Sequence, residues 1–180
     1  MDDPSDNHIA ILVGQVLLKR IYHESLGRLM HSITRSNRRT RNDSPRLFVE
    51  VGEGEQMMDA RIINPFLAAA IHVLKTMAQV DAKPGKPFLK TDDLAIGDVS
   101  AIIGVTGAAQ GSMALIFTEQ CINHVASNLL GAPFTQVNHE VRDAVGELTN
   151  MICGDARRRL AEEGLVLQAG IPTIVSGKGH

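Results

Sequence analysis

From residue 59 onward, apolar residues follow helical spacing in some stretches and strand-like spacing in others. The short segment TGAAQ separates two strand-like runs and therefore predicts a β-hairpin. The order helix, strand, strand, helix, helix, strand predicts an α/β or α+β fold in which helices pack on a sheet. Capping residues and breakers place helices from Asn64-Pro65 to about Met77, from Thr118 to Gly131 and from Asn138 to Gly164, with strands over 97–105, 111–117 and 165–175.

Residues 1–58 have a different pattern, and we treat them as a separate N-terminal segment before a domain over 59–180. Apolar residues from Ile9 to Ile33 recur at helical spacing, which predicts an N-terminal helix. The basic run from Arg35 to Arg41 has the composition of a linker, although binding to nucleic acid or a lipid surface stays open. A short strand over 47–51 and an acidic, glycine-containing stretch complete the segment.

The amino-acid composition indicates an ordinary globular protein. The 180 residues are 44% hydrophobic and 21% charged, which is ordinary for a globular domain with a real core. A net charge of −2 gives no general reason to expect binding to nucleic acid or a membrane. Cys121 and Cys153 are far apart, and the apolar run 9–18 is too short to span a bilayer. We therefore expect reduced, buried thiols in a cytoplasmic protein.

The helix predicted over 138–164 carries the main candidate for chemistry. At about 100° per residue, Asp143, Glu147, Asn150 and Gly154 fall within about 60° of one another, and we call these four residues the acid–amide face. Polar residues on the outside of an amphipathic helix are usually only solvated, so this spacing alone is weak evidence for a site. Gly154 has no side chain and would let a bulky partner approach. The opposite side of the helix is apolar at Val141, Val145, Leu148 and Ile152.

Six further sequence segments surround or include the acid–amide face. They are INPFLAAAIHVLKTM, AKPGKPFLK, GDVSAIIGVTG, GSMALIF, DAVGELTNMICGDARRRL and IPTIVSGKGH. Together they resemble the CheX family, which is related to the CheC and FliY phosphatases of bacterial chemotaxis. The resemblance implies a CheC/CheX-like layer of long helices on a β-sheet, preceded here by the N-terminal helical extension. The family continues with further strands after the last segment, so we expect a short sheet edge that is exposed or paired with another copy.

The resemblance also implies an activity. Family members hydrolyse the phosphoaspartate of a CheY-type response regulator, and their motif maps onto Asp143, Glu147, Asn150 and Pro172. It implies that Glu147 docks on a lysine of the regulator and that Asn150 positions the attacking water. Asp143, Gly154 and Pro172 would support these two residues or help to dock the regulator. We expect no cofactor of the protein's own, Mg²⁺ supplied by the regulator, one site per chain, and a homodimer.

Two other functional classes remain open at this point. A module that binds the receiver domain of a response regulator without phosphatase activity would use the same face. A structural role in a flagellar switch would use the N-terminal segment. His72 and His124 are expected to be partly buried packing residues rather than metal ligands. Cys153 lies near the acid–amide face on the helical wheel, which leaves redox sensitivity open. Residues 157–159 are arginines whose expected role is solvation and pairing with the helix dipole, with attraction of an acidic regulator as the alternative.

Overall fold

The computed structural model describes residues 8–14, 46–51, 60–85, 88–89 and 97–177. The described helices are α1 (Ala60–Ala78), α2 (Glu119–Leu130) and α3 (His139–Glu162). The described strands are β1 (His8–Gly14), β2 (Arg46–Val51), β3 (Lys83–Pro84), β4 (Phe88–Leu89), β5 (Val99–Gly107), β6 (Gly111–Phe117), β7 (Leu167–Ala169) and β8 (Thr173–Ser176). They form one eight-stranded sheet in the order β3-β2-β1-β6-β5-β7, with β4 paired to β2 and β8 paired to β5.

The predicted hairpin is confirmed as the antiparallel pair β5–β6, in register from Val99 opposite Phe117 to Val105 opposite Gly111. Its turn begins at Gly107, where φ is +115° and a Cβ would lie 2.5 Å from the carbonyl oxygen of Val166. Only glycine fits there, because both the backbone conformation and the close approach exclude a side chain. The absence of a side chain at Gly107 therefore also lets the segment after α3 pack closely against the hairpin.

One layer of helices covers one face of this hairpin. Alternate residues of β5 are buried, which fits a strand with one face on the core. The predicted apolar stripe of α3 is confirmed, since all four of its residues are fully buried. Aliphatic residues make up most of this core, as the near absence of aromatic residues requires. The core includes Ala101, Ile103, Leu115 and Phe117 from the hairpin and Val141, Val145, Leu148 and Ile152 from α3.

The predicted caps of α2 and α3 are confirmed. The side chains of Thr118 and Asn138 accept from the backbone N–H groups of Cys121 and Val141, respectively. Gly131 ends α2 in the left-handed conformation.

The end of α3 is equally well defined. Gly164 has φ +83°, and its N–H donates to the carbonyl of Ala161, while the Leu165 N–H donates to that of Leu160. These paired bonds are a Schellman motif, which turns the chain sharply towards β7. The predicted strand over 165–175 divides into β7 and β8, interrupted at residues 170–172. Both pieces pair with β5, on the side of that strand away from β6.

The predicted N-terminal helix is wrong at its start, because His8–Gly14 form strand β1. A short apolar run fits either spacing, and here the backbone groups of β6 and β2 on its two sides favour the strand. The predicted strand over 47–51 is confirmed as β2. The helical stripe beyond Gly14, the basic run 35–41 and the acidic stretch lie outside the described residues. The division of the chain at residue 59 stays a prediction.

Helix α1 begins at Ala60, earlier than the predicted start at Asn64-Pro65. Pro65 is the sixth residue of the helix, beyond the first four residues whose N–H groups lack an intrahelical partner, so its missing N–H removes one intrahelical bond. The predicted end near Met77 agrees with the observed end at Ala78. None of the described helices combines the length and apolar content needed to cross a bilayer.

Two glycines of α3 should respond oppositely to substitution. A Cβ on Gly146 would lie 3.0 Å from Ile174 Cδ1 in β8, whereas a Cβ on Gly154 would have no neighbour within 4 Å. We expect Gly146→Leu to lower the free energy of unfolding by about 1–3 kcal/mol through overpacking. Gly154→Ala should raise it by up to about 1 kcal/mol through helix propensity. Urea unfolding of both variants tests this, and shifts of the same sign would contradict the packing described.

Candidate functional site

All four members of the acid–amide face are exposed on α3, as the helical wheel predicts. The buried stripe on the opposite side holds the helix in a single orientation on the sheet. Glu147 and Asn150 are three residues apart and therefore neighbours on the helix surface. The structure thus presents a carboxylate and an amide side by side on a rigid element.

The polar groups on this face differ in whether they already have partners. Asp143 Oδ2 lies 2.9 Å from Nδ1 of His139, one turn earlier, in an exposed pair that screening by water makes weak. Glu147 and Asn150 make no side-chain hydrogen bond or ion pair with any other residue that the structure describes. Their donors and acceptors are therefore free to meet an incoming molecule.

Beyond Gly154, an ion-pair network covers the last turns of α3. Arg158 contacts Asp155 and Glu162, each at 2.6 Å, and Arg159 Nε donates to Asp155 Oδ2 at 2.9 Å. Burial raises the pKa of Asp155, but the hydrogen bonds and charges of the two arginines outweigh it, so the net pKa lies below the usual value. The predicted solvation role of these arginines is thus only part of their role, since both are paired with acids of their own helix.

The edge strand formed by β7 and β8 runs beside α3. Arg157 Nε donates to the carbonyl oxygen of Leu167 at 2.9 Å, and Gly146 packs against the side chain of Ile174. The interruption at residues 170–172 falls between these two contacts. It therefore lies beside the middle turns of α3, and it contains the half-buried Pro172.

The helical wheel shows which middle residue faces this interruption. Relative to Gly146, Arg157 is rotated by about 20° and Asn150 by about 40°, while Glu147 is rotated by about 100°. Asn150 therefore lies at the edge of the acid–amide face, next to the side of α3 that contacts β7 and β8. The structure brings Asp143, Glu147, Asn150 and Gly154 onto one surface of α3, and Pro172 lies in the interruption between β7 and β8.

Sequence reasoning missed two residues that lie beside this surface. Gly146 is buried against β8, and its signal was a glycine in the interior of a long helix, which usually marks a close approach. Ile171 is 89% exposed, although it is a large apolar residue. Its signal was its place immediately before Pro172, where the backbone is restricted to extended conformations.

The histidines are arranged differently from the prediction. His72 and His124 are exposed rather than partly buried, because the buried residues of α1 and α2 lie on other sides of those helices. Across the residues whose placement is described, no three His, Cys, Asp or Glu side chains cluster in a way that would hold a metal ion.

Both cysteines belong to the core. Both are buried, at 0% for Cys121 and 1% for Cys153, so the predicted burial of the thiols is confirmed, and the redox sensitivity left open for Cys153 has no exposed thiol behind it. Burial raises the pKa of Cys121 to about 12. Burial also raises the pKa of Cys153, with the charge of Arg157 opposing the shift. Neither thiol is therefore poised as a nucleophile at neutral pH.

The two thiols should resist modification in the folded protein. Raised pKa values leave little thiolate at pH 7–8, and burial excludes the reagent, so we expect almost no reaction with a disulfide reagent over minutes. The same chain in urea should react at both cysteines, which provides the control. Rapid labelling of folded protein at pH 7 would contradict the burial of these side chains.

Comparison with known proteins gives consistent matches. The family described as chemotaxis phosphatase CheX matches residues 99–180. The CheY-P phosphatase CheX of Thermotoga maritima is 29% identical over 122 residues, which cover 67% of this chain and 79% of that protein.

Solved structures extend this likeness to the fold. The chemotaxis protein CheX of Vibrio vulnificus is 48% identical with a TM-score of 0.64, and the match covers 67% of this chain and 81% of that one. CheX in the CheX–CheY–BeF3–Mg²⁺ complex of Borrelia burgdorferi is 30% identical with a TM-score of 0.57, covering 68% and 79%. The matches in sequence and in fold agree, and the chain belongs to the CheX family.

Proposed function

We propose that this protein hydrolyses the phosphoaspartate of a CheY-type response regulator. The observation that carries the proposal is the pair Glu147 and Asn150, exposed and unpartnered within the described part of the chain, on a helix whose other side is fully buried. The name of the Thermotoga relative as a CheY-P phosphatase supports the substrate. The Borrelia complex of a CheX with CheY supports the partner.

Asn150 is the proposed catalytic residue. Its amide has both a donor and an acceptor, so it holds a water molecule in line with the phosphorus. The water oxygen forms a bond to phosphorus while the bond to the aspartate oxygen breaks, which releases inorganic phosphate and a free carboxylate. Phosphoryl transfer of this kind depends mainly on positioning and charge stabilisation, and a strong base is not needed. The rigid packing of α3 supplies that positioning.

Glu147 is the proposed docking residue. Its carboxylate accepts a charge-assisted hydrogen bond from a lysine in the regulator's active site. Because Glu147 is exposed, this contact contributes mainly to register and to the rate of association. With Asn150 one turn away on the same surface, the contact sets where the amide meets the phosphoryl group.

The other three residues of the predicted motif have supporting roles in this proposal. Asp143 adds negative charge beside Glu147, moderated by its contact with His139. Gly154 leaves open space, so the regulator's surface approaches the helix closely. Pro172 limits the conformations of the interruption beside Asn150.

The magnesium ion of the reaction belongs to the regulator in this proposal. The Borrelia complex contains Mg²⁺ together with CheY. The described residues of the present chain offer no cluster that would hold such an ion. We propose that the protein acts in the cytoplasm, and the homodimer implied by the resemblance remains a prediction.

Replacement of Asn150 separates catalysis from binding. We expect Asn150→Ala to lower the rate of phosphate release from a phosphorylated CheY-type receiver by about 10²- to 10³-fold, while binding stays nearly unchanged. Glu147→Ala should weaken binding by about tenfold, because the regulator's lysine loses its acceptor. Release of phosphate in the presence of Mg²⁺, and binding to the receiver carrying beryllofluoride in place of the phosphoryl group, provide the two measurements.

His124→Ala is the control for these variants, since His124 is exposed on α2 rather than α3. Equal rates for wild type, Asn150→Ala and Glu147→Ala would rule out the site. Binding by wild type without any acceleration would instead establish the receiver-binding module that the sequence left open.

Gly154 provides a second test of the docking surface. Gly154→Leu adds a side chain into open space, so stability should be retained while binding to the activated receiver weakens by about tenfold or more. Gly154→Ala should have a much smaller effect on binding, because one methyl group projects little from the helix. Unchanged binding of the Leu variant would place the regulator away from this part of α3.

A further inference from the structure

Ile171 is the most exposed of the large apolar side chains that the structure describes, at 89%. Single exposed apolar residues are common on protein surfaces and do not by themselves indicate a site. Val166, at 65%, is an ordinary example in the loop after α3. What distinguishes Ile171 is its location and the restriction of its backbone.

The location follows from the contacts of the edge strand. Arg157 is bonded to Leu167 at one end, and Gly146 packs on Ile174 at the other. Ile171 stands near the middle of the segment between these contacts and is therefore level with the turn of α3 that carries Asn150. The exposed apolar side chain thus belongs to the chain segment that runs past the turn of α3 carrying Asn150.

The backbone of Ile171 is restricted on both sides. The Gly170 N–H donates to the carbonyl oxygen of Gly104 at 3.0 Å. On the other side, Pro172 excludes helical conformations of Ile171, and Thr173 is already paired with Ile102 in the sheet. A side chain held in this way loses little backbone entropy when a partner covers it.

We propose that Ile171 is a specificity-determining apolar anchor for the phosphorylated receiver domain. The inference rests on the proposed function and adds a binding contact that the acid–amide motif does not contain. Glu147 and Asn150 are polar and solvated, so they orient the partner but remove little apolar surface from water. Ile171 adds that apolar contact beside them, and it binds the receiver without taking part in the chemical step.

Substitution of Ile171 should separate KM from kcat. We expect Ile171→Ala to raise KM for the phosphorylated receiver by about tenfold, which corresponds to about 1.4 kcal/mol. The kcat should stay within about twofold of wild type, because the group acts equally in the ground and transition states. Binding to the beryllofluoride-loaded receiver should weaken by the same factor. Ile171→Val, which keeps most of the apolar surface, should restore most of the affinity.

Val166→Ala is the matched control, since it removes a second exposed apolar side chain and should leave KM unchanged. Equal KM values for wild type and Ile171→Ala would overturn the proposal while leaving the phosphatase activity intact. A fall in the kcat of Ile171→Ala without a change in its KM would also overturn the proposal. Loss of a dimer by this variant in sedimentation, without a change in KM, would overturn it as well. If the wild-type chain accelerates phosphate release from no receiver, the proposed function fails and this inference fails with it.

Discussion

The attachment of helix α3 to the sheet is the constraint on which the rest of the structure depends. Its apolar stripe is completely buried in the same core as the β5–β6 hairpin. Full burial of each Leu or Ile side chain contributes about 1.5–3 kcal/mol, so rotation of the helix about its axis would be costly. Gly146 then lets β8 approach closely on one flank. With two of its sides fixed, the helix presents Glu147 and Asn150 in a single orientation.

The acid–amide face could largely be predicted from the sequence because its signals are local. Amphipathic spacing gave both faces of α3, and the capping residues gave its ends at Asn138 and Gly164 within two residues. Side-chain direction on a long helix follows from spacing alone. The hairpin was predictable for the same reason, since its two strands are close in sequence.

The N-terminal strand could not be predicted in this way. Residues 9–13 are apolar throughout, and such a run satisfies helical and strand spacing equally. The structure resolves the choice through β6, whose residues lie far along the chain. Cys153 shows a related limit, because its angle on the wheel placed it near the polar face, but neighbouring elements cover it. Likewise, Ile171 is exposed in the interruption between β7 and β8, and helical spacing carries no information about that interruption.

The position of β1 in the sheet has a consequence for how the chain acquires its fold. Ile9 lies opposite Phe117, so the first described strand emerges from the ribosome long before its partner β6. At about 5–20 residues per second, several seconds pass during which this apolar segment has no β6 to pair with. Pairings between such distant segments also slow folding, because a large loop must close first. The local hairpin and α3 are free of that delay, so newly made chains depend on protection of the N-terminal strand more than on assembly of the helix that carries Asn150.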